Sequence, residues 1–147
     1  MKKQCAAYIN KEGEIHLTGY NHVPGGPWFY NGCYEYVAAE ALPVMLLDAV
    51  RICIDSSKVT SETDFESRDP DQWKALLRFV GVKNQRQMVD RFRSIEIESD
   101  GSTLSLVPTS RASDGNYDLL EPHGTSTCEP EPRAFYDLFR KQLARCR

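Results

Sequence analysis

From Trp73 to Pro108 the chain reads WKALLRFVGVKNQRQMVDRFRSIEIESDGSTLSLVP, and most of the fold class is decided there. Just upstream, Asp69 is placed to cap a helix, with Pro70 at its first position and Gln72 completing a capping box. Trp73, Leu76, Leu77 and Val80 recur at helical spacing, and Gly81 is placed to end the helix. Trp73 opens this apolar stripe and is expected to anchor the core. Asn84 can start a second short helix, with Gln87 as its capping partner and Met88, Val89 and Phe92 buried. Strands follow over Ser94–Ser99 and Thr103–Pro108, and Asp100-Gly101 between them signals a hairpin turn. No polar residue of the stretch belongs to a recognisable catalytic constellation.

Toward the N-terminus, Cys5–Asn10 and Ile15–Tyr20 read as strands around the turn Lys11–Glu14. Asn21–Glu35, NHVPGGPWFYNGCYE, reads as a loop, because Pro24 and Pro27 flank Gly25-Gly26. A helix is expected over about Pro43–Ser57. Val44, Leu47, Val50, Arg51 and Ile54 lie along one side, and Met45, Leu46, Ala49 and Cys53 broaden it. Such breadth suits a helix packed on more than one face. Toward the C-terminus, Thr109–Asn116 is polar, Tyr117–Leu120 reads as a short strand, and Glu121–Pro132 reads as an irregular crossing. A last helix runs from near Pro132 to about Cys146, its stripe made of Phe135, Leu138, Phe139 and Cys146 with Leu143 alongside. Strands and helices do not alternate strictly. The expectation is one α+β domain over residues 1–147, a mainly antiparallel sheet with helices packed against it.

The 147 residues suit one domain, and 41% apolar content suffices for a core. No window approaches the apolar length of a membrane span, and Asn10 and Lys11 interrupt the first apolar run. A cytoplasmic location is expected. Cys5, Cys33, Cys53, Cys128 and Cys146 are scattered, with no CxxC pair. That pattern predicts reduced thiols, Cys53 as buried filler, and neither a metal nor another cofactor.

Charge is uneven along the chain. Residues 1–72 hold six Lys and Arg against eleven Asp and Glu; residues 73–147 hold twelve against ten. The acidity concentrates in TSETDFESRDPD, where Glu62, Asp64, Glu66, Asp69 and Asp71 face Arg68 alone. Two compatible readings stand: a solvated loop placed near a helix N-terminus, or a surface that meets a basic partner. His16 alternates with Ile15 and Leu17 and is expected to face solvent, while His22 and His123 fall in turn-rich loops. A loop-histidine hydrolase, including a nuclease pairing His22 with Glu35 or Glu40, is the enzymatic alternative. Trp28, Phe29 and Tyr30, with Tyr20, Tyr34 and Tyr36, read as half-buried core aromatics or as anchors in a protein interface. Base stacking in a nucleic-acid adaptor is the third alternative, and the acidity of this half opposes it.

The Trp-led helix, the GVK link, the basic amphipathic helix and the hairpin ending in LVP also carry a resemblance. So do LPVMLLDAVRICIDSSK upstream and the terminal LARCR. Together they resemble the immunity proteins of bacterial contact-dependent growth inhibition, in a branch long catalogued as a domain of unknown function. The resemblance covers roughly Leu42–Pro108 and Ala134–Arg147. It implies a monomer that neutralises a cognate toxin, the C-terminal domain of a large exoprotein, by binding it one to one. It implies no catalytic residue, metal, membrane or direct nucleic-acid contact. With the charge asymmetry, it makes Glu62, Asp64, Glu66, Asp69, Asp71, Tyr20, His22, Trp28, Phe29 and Tyr30 the candidate interface.

Overall fold

The sequence KQCAAYIN forms β1 (Lys3–Asn10), and its residues 5–9 are all buried. A strand buried on both faces needs a sheet around it and cover above and below. Both are present in the computed structural model, which describes residues 2–112, 116–120 and 124–147. The other elements are β2 (Ile15–His22), β3 (Trp28–Val37), α1 (Pro43–Ser56), α2 (Glu62–Glu66), α3 (Gln72–Val80), α4 (Gln85–Arg91), β4 (Phe92–Ser99), β5 (Leu104–Arg111), β6 (Tyr117–Leu119), β7 (Ser126–Cys128) and α5 (Pro132–Arg145). The strand order is β3-β2-β1-β4-β5-β6, with β7 also on β5, and every pairing is antiparallel. The expected α+β architecture is the observed one.

Cys5, Ala7 and Ile9 point to one face, where they meet Leu47, Val50, Cys53 of α1 and Phe135, Phe139 of α5. Ala6 and Tyr8 point to the other, against Leu76, Leu77 and Val80 of α3 and Met88 of α4. All five thiols are free, with Cys53 buried and its Sγ 3.9 Å from that of Cys33. Gly81 ends α3 at φ 82°, a left-handed conformation that glycine adopts without strain. Asn84 caps α4 through Gln87 N–H, as its spacing predicts, although the Gln87 side chain accepts from Lys83 N–H and closes no box on Asn84.

Several expectations fail on position. The supposed loop Asn21–Glu35 is mostly strand: β2 runs to His22, β3 begins at Trp28, and only the turn between them is irregular. The helix expected from Asp69 starts two residues later. Asp69 instead closes a turn, its carboxylate accepting from Asp71 N–H at 2.9 Å and its carbonyl from Gln72 N–H at 3.2 Å. Trp73 is 40% exposed and anchors no core. The β4–β5 turn takes four residues, because the Asp100 carboxylate accepts from the backbone of Ser102 and Thr103 at 2.9 and 2.8 Å. Those bonds hold the carboxyl well below its ordinary range. His16 does not face solvent. Its ring meets the edges of Phe79, Tyr36 and Phe92 at 5.1–5.5 Å, and burial lowers its pKa. Val44, Met45 and Arg51 lie on the exposed side of α1. The crossing Glu121–Pro132 contains β7, and Gln142 joins the buried stripe of α5, donating to the carbonyls of Leu106 (2.9 Å) and Gly124.

Candidate protein-binding surface

α3 is nine residues long, and its buried stripe of Leu76, Leu77 and Val80 uses only its C-terminal part. The first turn projects past that contact and leaves Trp73 exposed. Facing it is the β2–β3 hairpin. Between them a cavity of about 290 Å³ is lined by Trp28, Phe29 and Tyr30 from β3, Phe65 from α2, Asp69 from the turn, and Trp73. Two separate runs of the sequence, the aromatic one and the acidic one, thus form one surface.

The chain holds this surface in place by defined bonds. His22 N–H donates to Lys58 C=O at 3.0 Å, and Thr60 N–H returns to His22 C=O at 2.8 Å. Lys58 N–H donates to the Asn21 side chain at 3.0 Å. The acidic run therefore leaves α1 already tied to the end of β2. It is not a loop throughout: Ser61 and Asp64 form a reciprocal capping box that starts α2. Phe65 turns inward and meets Phe29 edge-on at 5.5 Å. The Arg68 guanidinium lies 3.7 Å from the Phe65 ring centre, a cation–π contact, while Glu62, Asp64, Glu66, Asp69 and Asp71 are exposed around it. Lys74 pairs with Asp71 at 3.2 Å and offsets one of the five charges.

The remaining candidates extend the surface along the sheet. His22 stacks on Trp28 at 4.1 Å, and Tyr20 stacks on Tyr30 at 5.3 Å. Beyond Tyr20 lies Glu96 on β4, which sequence reading passed over between Ile95 and Ile97. Its carboxylate accepts from Gln4 at 2.9 Å and from the Tyr20 hydroxyl at 3.4 Å. Trp73 and Phe65 carry no surface signal in the sequence: Trp73 fits the apolar spacing of α3, and Phe65 stands inside an acidic run.

Burial pushes the Glu96 carboxyl up from 4.5 to about 7, against the pull of its bonds to Gln4 and Tyr20. The folded chain then keeps this proton at pH values where the unfolded chain has released it. Stability from this group is full below about pH 4.5 and declines as pH rises toward 7. Glu96→Gln should flatten that slope. It should exceed the parent in stability at about pH 8, by on the order of 1–3 kcal/mol. Denaturant midpoints on either side of the window check this; parallel pH profiles for the two proteins would refute it.

The pairings of His22 with Glu35 and with Glu40 find no geometry. Glu35 pairs with Leu17, five residues along β2 from His22, or about 16 Å at strand spacing. Glu40 follows Val37, which lies at the same distant end of the sheet. His22 keeps a buried Nδ1 without a hydrogen-bond partner, beside an indole. His123 lies outside the described residues. Among the described residues no group of three His, Cys, Asp or Glu is placed to hold a metal, and no helix is long and apolar enough to cross a membrane.

No protein-family model matches the sequence, and no curated protein matches it. Solved structures do match the fold. A chain of the CdiA-CT/CdiI toxin and immunity complex from Yersinia pseudotuberculosis superposes with a TM-score of 0.77 at 15% identity, covering 100% of this chain and 98% of that one. The protein of unknown function NMB0488 from Neisseria meningitidis gives a TM-score of 0.80 at 13% identity, covering 100% and 96%. The protein therefore has the fold of these chains from end to end, over the same span of structure.

Proposed function

We propose that this chain is an immunity protein that binds and neutralises a cognate toxin domain of a contact-dependent growth inhibition system. The observation that carries the reading is the full-length match to a chain of a toxin and immunity complex, supported by the acidic, aromatic surface around Trp73. The protein acts by occupying a surface and turns over no substrate. Its partner is the C-terminal domain of a large exoprotein, bound one to one in the cytoplasm. That partner is a nuclease whose cleft is basic because it grips phosphates. Glu62, Asp64, Glu66, Asp69 and Asp71 steer it in, and Tyr20, His22, Trp28, Phe29, Tyr30 and Trp73 supply the contact area.

The test is to co-express the chain with the toxin domain encoded beside it. Growth should be restored, and the two should co-purify at equal stoichiometry. A toxin domain that neither binds nor is silenced sinks the reading.

Steering is tested separately. Asp64 belongs to the α2 capping box, so it is left in place. Glu62→Gln/Glu66→Gln removes two exposed charges without touching a cap. Rim charges act on encounter, so association with the toxin should slow by roughly three- to tenfold at low salt, with dissociation unchanged. Stopped-flow rates at two ionic strengths check it. An unaltered association rate removes α2 from the interface.

A further inference from the structure

A second and larger cavity, about 630 Å³, opens at the opposite end of α3. α3 separates the two by its own length, about 13 Å for nine residues. The second cavity inverts the chemistry of the first. Its floor is apolar, made by Val80, Val82 and Phe92. Its basic lining is Lys11 from the β1–β2 turn, Arg91 from the end of α4, Arg93 from β4 and Arg111 from the end of β5. Glu12 and Asp90 are the acidic residues lining it.

Four cations line this end of the sheet from four different elements, with Arg93 on the α5 face beside Ile9 and the others around the cleft. Among the described residues none of them forms an ion pair with a carboxylate. Arg93 donates to Leu143 C=O at 3.1 Å, and Arg111 to Asp90 C=O at 3.4 Å. Such bonds orient a guanidinium and leave its charge uncompensated. A guanidinium has five N–H donors, so most remain for an anion. Bringing like charges together costs free energy that a solvated surface avoids by spreading them. The planar forks of Arg91 and Arg111 suit the oxygens of a phosphate better than a single carboxylate. The apolar floor, in turn, suits a flat ring held beside that phosphate. The volume lies within the usual range for small-molecule sites.

We propose that this cleft binds a nucleotide, with its phosphate between Arg91 and Arg111 and its base on Val80, Val82 and Phe92. A free mononucleotide and the end of a nucleic-acid strand present the same group. The net charge of −3 and the acidic surface beyond α3 oppose a long polyanion, which favours the free nucleotide. The site is independent of the toxin-binding reading and stands or falls without it.

Calorimetric titration of the full chain tests it, with the four nucleoside monophosphates, inorganic phosphate, adenosine and a single-stranded RNA oligonucleotide as probes. At least one monophosphate should bind with a Kd below about 1 mM, and at least tenfold more tightly than either phosphate or adenosine. Arg91→Ser/Arg111→Ser should weaken it at least tenfold, and raising the salt should weaken it as well. Both side chains are exposed, so the thermal midpoint should be retained. Lys11→Ser, in an exposed turn, is the second variant and should give a smaller loss. No binding of any monophosphate at millimolar concentration overturns the proposal. So does binding no tighter than that of phosphate alone, which marks an anion patch without a base site. An oligonucleotide that binds far more tightly than the monophosphates, in proportion to its length, also overturns the pocket in favour of a strand crossing the surface.

Discussion

Phe135→Ala should cost about 3–5 kcal/mol of stability, while Trp73→Ala should cost less than about 1 kcal/mol. The contrast comes from what each ring touches. Phe135 is 0% exposed and, among the described residues, is the largest fully buried side chain. It sits on α5 against the sheet, 5.9 Å from the Phe139 ring, in the same cluster as Leu47 and Ile97. Removing it leaves a cavity enclosed by residues of two helices and the sheet, none of which can collapse without disturbing another contact. Trp73 has solvent on one side and a cavity on the other, so its truncation creates little new void. Urea midpoints for the two variants decide it. Equal losses would place the two rings in equivalent environments and contradict this arrangement.

The same pair shows what the sequence could and could not reveal. Phe135, Phe139, Leu76 and Leu77 were legible because a helix that packs along its length repeats its apolar residues at helical spacing. Trp73 carries that spacing too. Periodicity gives the face of a helix; it does not give the point at which the neighbouring sheet ends. Gln142 illustrates the reverse case. It stands seven residues after Phe135, on the same face, yet its polarity hid it from an apolar count. Its burial follows from two carbonyls, of Leu106 and Gly124, that need a donor there.

β3 was lost to its punctuation. Pro24, Gly25, Gly26 and Pro27 turn the chain, as read, but the turn is over by Trp28. After it Trp28, Tyr30, Tyr34 and Tyr36 fall on alternate positions of one face, paired with His22, Tyr20, Thr18 and His16. That alternation was present in the residues and was outweighed by turn density. α2 was masked in a similar way. Ser61 and Asp64 have capping-box spacing, which a row of acidic residues made easy to read as solvated loop. The candidate surface was half legible. Its charges and aromatics stand out in sequence, but their meeting depends on the bonds of His22 to Lys58 and Thr60, which no local pattern encodes.

Trp73→Ala should have its large effect on binding. An exposed indole next to Trp28, Phe29 and Asp69 has no folding role that accounts for it. Rigid aromatic rings that lose water only on association are the residues on which interface affinity concentrates. If the cognate toxin covers this surface, truncation should lose about 2–4 kcal/mol of binding, a roughly thirty- to thousandfold weaker complex. The loss should lie in dissociation, because a short-range contact formed after encounter leaves steering intact. Glu62→Gln/Glu66→Gln acts on the opposite rate. The two variants are therefore expected to combine additively in the logarithm of affinity, since one alters encounter and the other the docked state. Surface plasmon resonance on the parent, both variants and their combination measures all four complexes. If Trp73→Ala binds the toxin like the parent, the cavity beside it lies outside the interface, and the acidic run is left without the aromatic contacts assigned to it.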